Sequence, residues 1–272
     1  MASRFERNMT DSDFSDPAVR DALMETLKGV DPDRYRAALM AGAPARGRLL
    51  TLYAFHYELA KVPEMVSEPM IGAIRYQWWR DAVAEIYEGK PVRKHEVATP
   101  LKAVLIDCDV PRYWVDALID GRERDLDPRP FANISEAKDY CAATSGKLMQ
   151  IAVQVAAPDS DLSEAQSAGI GQAGLTWGLT GLARAYRFYQ TRMLSELTFS
   201  EIKDAAGAAY DAAGRALGKV DAQIMPAVAY AALAPKYLAR MGGGFDPAKD
   251  SVSYGPLAKQ MRLMRAGVTG RI

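Results

Sequence analysis

Glu64 and Glu68 stand four residues apart, a spacing that sets two carboxylates on one face of a helix, where an oxygen-seeking divalent cation would find them. Pro63 and Pro69 bracket the pair and each denies the backbone a donor, which disfavours a regular metal-binding face across it. Arg184, Arg187 and Arg192 fall within about two turns of one helical stretch and offer cations to a phosphorylated or carboxylated ligand. The same arginines could equally pair with Glu58, Glu64 or Glu68, and both readings stand. His56 and His95 are isolated from other metal-ligating residues, and His56 on an apolar helix reads as a hydrogen-bonded packing residue. Cys108 and Cys141 lie far apart, which argues for reduced, partly buried thiols over a disulfide or a zinc site. Gly169-Ile-Gly-Gln-Ala-Gly174 satisfies a dinucleotide pattern, but no βαβ unit surrounds it, and its glycines read as points where helices approach closely.

The elements that must carry these side chains read as helices. Leu49, Leu50, Tyr53, Ala54, Tyr57 and Ala60 recur at three- and four-residue intervals, predicting a helix with one buried face that kinks or stops at Pro63. Asp31-Pro32-Asp33 marks an earlier helix start, with proline in the first turn and acids at the positive end of the dipole. Ile71 to Tyr87 is the next helix, its Trp78 and Trp79 interleaved with Arg75, Gln77 and Arg80. Further helices are predicted after Thr99-Pro100, after Asp109-Val110-Pro111, from Ser135 to Ile151 and, as one continuous run, from the Gly169 region through Tyr189. The alanine-rich segment Glu201 to Leu217, Met225 to Arg240 and a short helix near Leu257 to Met264 complete the chain. No strand pattern, repeat or linker interrupts this, so the expectation is all-α: a flexible leader over residues 1–20 and one helical domain over 21–272.

Composition narrows the function. Thirty-four basic and 34 acidic residues give a formal charge of zero, with no global field to hold a nucleic-acid backbone. Charged residues break every apolar run before the ~20 residues that a membrane span needs, and the polar start lacks a signal-peptide core. A cytoplasmic protein, or one peripheral to a membrane's inner face, is expected.

Two stretches carry a family resemblance. Tyr53-Ala-Phe-His-Tyr-Glu-Leu-Ala-Lys-Val-Pro-Glu64 resembles the first aspartate-rich helix of the squalene and phytoene synthases, Tyr-Ala-x-Cys-Arg-x-x-Asp-Asp-x-x-Asp. Leu179-Thr-Gly-Leu-Ala-Arg-Ala-Tyr-Arg-Phe-Tyr189 resembles their second, Leu-Thr-Asn-Ile-Leu-Arg-Asp-x-x-x-Asp. Tyr53, Ala54, Leu179, Thr180 and Arg184 match, but Tyr57 takes the arginine position, Ala60 and Lys61 the paired aspartates, and Ala185 and Tyr189 the later pair; Glu64 alone remains acidic. Tyr140 to Gly146 and the charged run Leu118 to Asp127 extend the likeness, and Arg34-Tyr35 takes the place of a Ser-Phe pair that helps hold a diphosphate in the family.

The resemblance implies a single-domain isoprenoid synthase type I helical fold around a central cavity, with Tyr53, Tyr57, Tyr140, Arg184 and Arg187 as ligand-binding residues. In the family, opposed aspartates hold the magnesium ions that neutralise a substrate diphosphate. With degenerate positions Ala60, Glu64, Ala185 and Tyr189, no catalytic residue and no metal cofactor are expected. The chain is most similar to a degenerate branch that includes the phytoene-synthase-like assembly factor for respiratory complex I. That likeness implies a pseudoenzyme with a protein partner in respiratory complex assembly and a prenyl or lipid-like ligand in its cavity. The alternative is an active prenyltransferase that condenses prenyl diphosphates, with Glu64 and Glu68 as shifted Mg²⁺ ligands.

Overall fold

The computed structural model describes the backbone of residues 17–272 and side chains from residue 21; the expected leader lies outside the described residues except for 17–20, which open the first helix. Every regular element among them is helical. In chain order they are α1 (Pro17–Val30), α2 (Pro32–Ala38), α3 (Ala43–Ala60), α4 (Pro69–Tyr87), α5 (Ala98–Asp107), α6 (Arg112–Glu123), α7 (Ile134–Cys141), α8 (Lys147–Ala156), α9 (Glu164–Arg184), α10 (Tyr186–Tyr189), α11 (Phe199–Leu217), α12 (Met225–Val228), α13 (Ala234–Arg240) and α14 (Pro256–Thr269).

Local chemistry sets the boundaries. Asp31 caps α2 by accepting from the Arg34 backbone N–H, and Pro32 occupies the first turn, where a missing donor costs nothing. Ser163 with Gln166 and Thr198 with Glu201 close reciprocal capping boxes on α9 and α11. Pro63 ends α3 as expected, and Val62–Glu64 tightens into a 3₁₀ turn. Gly218 and Gly270 end α11 and α14 at positive φ, 58° and 68°.

The long expected helices are broken in three places. Ser135 to Ile151 is interrupted at Ala142–Gly146 by a π-helical turn, where small side chains let the backbone widen between α7 and α8. The run predicted to continue through Tyr189 stops at Arg184: Ala185 turns out of helical geometry (φ −100°, ψ 11°) before the single turn of α10. Met225 to Arg240 is split by a 3₁₀ stretch, Ala229–Leu233, between α12 and α13, with Pro226 and Pro235 removing donors in each half.

α9 is the central element. It packs along α11, with Gly169 against Leu217, and crosses the π turn at Gly174, where an added Cβ would lie 2.5 Å from the Gly146 Cα. At Gly178 the same Cβ would lie 2.8 Å from that of Cys141. These glycines bring α9 closer to the α7–α8 run than any larger residue would allow. The close crossing sets one wall of a cavity; α3, α6 and α2 supply the others.

Candidate functional site

The cavity holds about 710 Å³, inside the range of roughly 300–1,000 Å³ typical of small-molecule pockets. α9 contributes Trp177, Gly178, Gly181 and Leu182, and Ala185, Phe188, Tyr189, Arg192 and Met193 continue that wall. Opposite stand Ala60, Pro63 and Glu64 from the end of α3, and the π turn adds Thr144 and Ser145. Arg34, Arg122, Asp125 and Tyr140 supply the polar lining, with Asp127 beside them.

The polar residues form one buried network. Arg122 Nη1 donates to Asp125 Oδ2 at 3.2 Å and to the Tyr140 hydroxyl at 2.9 Å, while that hydroxyl donates to Asp125 Oδ1 at 2.6 Å. Arg122 Nη2 lies 2.7 Å from His56 Nε2. A guanidinium can only donate, so Nε2 accepts and the imidazole proton sits on Nδ1. Burial, then the Arg122 and Arg34 charges, push His56 well below its ordinary pKa and keep the ring neutral. Burial above all raises the Tyr140 phenol well above its usual value, which keeps it a donor. The Tyr76 hydroxyl, 2.9 Å from the Arg122 carbonyl and 3.0 Å from that of Leu59, ties α4 to α6 and α3 behind this network.

Arg34 enters from α2. Its Nη1 meets Asp31 Oδ2 at 2.6 Å, and its guanidinium lies 5.1 Å from the Tyr230 ring centre and 5.9 Å from that of Tyr53. Burial works against this charge most strongly, but Asp31 and Tyr230 together outweigh it and the pKa is raised.

The structure brings only some of the expected ligand residues to the cavity. Tyr140 lines it, together with the degenerate positions Ala60, Glu64, Ala185 and Tyr189. Tyr53 lies behind the wall, 1% exposed and edge-on to Tyr230. Tyr57 faces Lys61, whose ammonium is 5.4 Å from its ring centre. Arg187 is exposed at the surface and donates to the Lys249 carbonyl. Arg184 is turned to a different anion: its guanidinium stacks 4.1 Å over Tyr237 and comes within 3.9 Å of Asp33. The acids expected as its partners, Glu58, Glu64 and Glu68, are not the ones it meets. Asp33 is itself buried, ion-paired to Lys259 at 2.7 Å and accepting from the Tyr237 hydroxyl at 2.6 Å.

Magnesium does not fit these residues. It needs carboxylate oxygens beside those of a phosphate, and the cavity presents alanine and tyrosine at the expected positions. Among the described residues no group of three or more His, Cys, Asp or Glu side chains could hold a metal ion. Glu64 reaches the rim, whereas Glu68 is exposed at the start of α4 and does not line the cavity. The cysteines are free and buried, the Cys108 thiol pushed up to about 11 chiefly by burial, so neither is a ready nucleophile.

Sequence reading passed over Arg34, His56, Arg122 and Asp125 as a polar cluster because distant segments supply them. The available signals were the basic residue at the position of the Ser-Phe pair and the charged run Arg122-Glu-Arg-Asp125.

Fold and site together define an all-helical cavity protein in which alanine, lysine and tyrosine stand at most of the positions where a metal-dependent prenyl synthase would carry acids. Residues 27–193 match the squalene/phytoene synthase family, and the chain belongs to it. Its relatives include the NADH dehydrogenase (ubiquinone) complex I assembly factor 6 of Homo sapiens, 31% identical over 132 residues, or 48% of this chain and 39% of that protein. The Mus musculus protein of the same name is 28% identical over 169 residues, 62% and 50% of the two chains. The match thus spans half or less of these relatives' own length. A solved dehydrosqualene synthase aligns over 92% of this chain and 95% of its own with a TM-score of 0.71 at 13% identity. Squalene synthase HpnC from Alicyclobacillus acidocaldarius aligns over 82% and 93% with a TM-score of 0.65 at 12% identity. At those identities the likeness shows the fold: the isoprenoid synthase helical architecture.

Proposed function

We propose that this chain is a pseudoenzyme of the squalene/phytoene synthase family that serves the assembly of respiratory complex I through a protein partner, with a lipid-like ligand in its cavity and no magnesium requirement. The observation that carries the reading is the loss of acids inside an otherwise intact cavity, with Ala60, Ala185 and Tyr189 lining its wall. Losing electrostatic stabilisation of a departing diphosphate removes several kcal/mol of catalysis, typically about 3–4 for a single donor. The relatives named as complex I assembly factors supply the choice of process. No helix among the described residues is long and apolar enough to cross a membrane, so in this reading contact with a membrane's inner face is peripheral.

Two experiments test it. Purified protein incubated with farnesyl or geranylgeranyl diphosphate and Mg²⁺ is expected to release no diphosphate and form no coupled hydrocarbon; turnover at an ordinary enzymatic rate refutes the pseudoenzyme. Deleting the gene is expected to lower complex I activity while leaving carotenoid and hopanoid content unchanged, and the opposite pattern refutes the assembly role.

A further inference from the structure

The outer face of α14 is apolar, and nothing among the described residues covers it. Leu257, Met261, Met264 and Val268 follow one another at intervals of four, three and four residues and are 57–86% exposed. At 100° per residue all four fall within a sector of about 60°. The opposite face is held by the fold: Leu263 and Ala266 are buried, Lys259 pairs with Asp33 at 2.7 Å, and Arg262 Nε donates to the Ala232 carbonyl at 2.8 Å. Past the helix end the Val220 N–H donates to the Gly270 carbonyl at 2.7 Å. The stripe therefore stands out from an element already fixed along its inner side.

Its charge is one-sided. In a chain of zero formal charge, residues 251–272 contain no Asp or Glu but carry Lys259, Arg262, Arg265 and Arg271. Arg265 and Arg271 are exposed, and the stem of Lys219, also exposed, lies against Gly270. None of these three is ion-paired among the described residues; Asp221, two residues beyond Lys219, turns its carboxylate to the Gln223 N–H at 2.8 Å. The other large exposed apolar patch gives the contrast. Met65, Met70, Ile71 and Ile74 are interleaved with exposed Glu64 and Glu68, with Arg75 as the cation among them. An anionic surface would be repelled by the acids there and attracted to α14. A second copy pairing along the α14 stripe would instead set its cations against those of the first.

We propose that α14 is the surface by which this protein docks on an anionic lipid bilayer. Leu257, Met261, Met264 and Val268 enter the boundary between headgroups and acyl chains, while Arg265, Arg271 and Lys219 reach out to the lipid phosphates. The inference rests on the reading that the protein contacts a membrane's inner face peripherally, and it names the face that does so.

The test is flotation of the full chain with vesicles of phosphatidylcholine alone and of phosphatidylcholine mixed equally with phosphatidylglycerol. Binding to the anionic vesicles is expected to be about tenfold tighter or more. Arg265→Gln and Arg271→Gln are expected to weaken it about fivefold for each charge removed. Met261→Gln combined with Met264→Gln is expected to lower it about tenfold or more on both vesicles while leaving thermal melts unchanged, since both side chains are exposed. Met70→Gln combined with Ile74→Gln, on the acidic patch, is expected to bind as the unmodified chain does. Equal binding to the two vesicles, binding to neither, full binding by the Met261/Met264 variant, or loss of binding in the Met70/Ile74 variant overturns the proposal; the first two need no variant to fold. A dimer in light scattering that the Met261/Met264 substitutions dissolve assigns the stripe to a second copy and likewise overturns it. If the Met261/Met264 variant binds anionic vesicles in full, this face falls and peripheral contact through another face stands. If neither vesicle binds while gene deletion still lowers complex I activity, the lipid contact falls and the assembly role stands.

Discussion

His56 makes the stability of this protein depend on pH in a window where few other groups titrate. Its ring is 6% exposed, and its pKa is held well below the ordinary value of about 6.5 by burial first and by Arg122 and Arg34 second. In the unfolded chain the ring takes up a proton as pH falls through about 6.5; in the folded chain it does not. The unfolded state then binds the extra proton, so stability is fully present above pH 6.5 and is lost as pH falls below it. For one proton the slope cannot exceed ~1.4 kcal/mol per pH unit, and between pH 8 and pH 5 the loss reaches ~2 kcal/mol at most. His56→Gln keeps an acceptor for Arg122 Nη2 and removes the titration. Urea unfolding of both proteins at intervals from pH 8 to pH 5 is expected to show the native protein losing stability toward pH 5 and the variant holding a flatter line. Above pH 5 most carboxylates remain ionised, which keeps their titration out of the comparison. Parallel lines for the two proteins would refute the argument that burial, with the Arg122 and Arg34 charges, holds His56 neutral.

The Asp33 cluster yields a second expectation: Lys259→Met leaves a buried carboxylate short of its nearest cation, 2.7 Å away, and is expected to cost about 3–5 kcal/mol in denaturant melts. Adding Asp33→Asn to that variant should recover part of the loss, because the unpaired charge goes with it; strictly additive costs would contradict the pairing. Gly174→Ala drives a methyl to 2.5 Å from the Gly146 Cα and is expected to destabilise by about 1–3 kcal/mol as the helices separate. Gly181→Ala meets open space on the same helix and is expected to stabilise by about 0.5–1 kcal/mol, so the two substitutions should move the melting temperature in opposite directions.

The helical character of the chain and its break at Pro63 were legible because apolar spacing and proline act locally. The close approach of helices at Gly169 and Gly174 was legible for the same reason: a missing side chain on a helical face has few other uses. The turn at Ala185 was not, since Ala-Arg-Ala-Tyr contains neither glycine nor proline. The π turn was equally hidden in a run of small residues that suits an ordinary helix. For the site, the degenerate positions Ala60, Glu64, Ala185 and Tyr189 read from the sequence all line the cavity, while the cationic role was read onto Arg184, Arg187 and Arg192 from their spacing and the family match of Arg184. Arg184 instead turns to Asp33, and of the three arginines only Arg192 reaches the cavity, where it joins Arg34 from α2 and Arg122 from α6, a grouping of distant segments that only the folded chain creates.

Asp33 has a consequence for what the fold depends on. A carboxylate tethered to α2 pairs with Lys259 of α14 and accepts from Tyr237 of α13, and so pins an early helix to the last two. A fold that relied on a diffusible counter-ion for this duty would loosen whenever that ion was scarce, in proportion to its free concentration. Here the counter-charge is covalent, so dilution cannot strip it. This tie between the helices is therefore independent of any ion's free concentration.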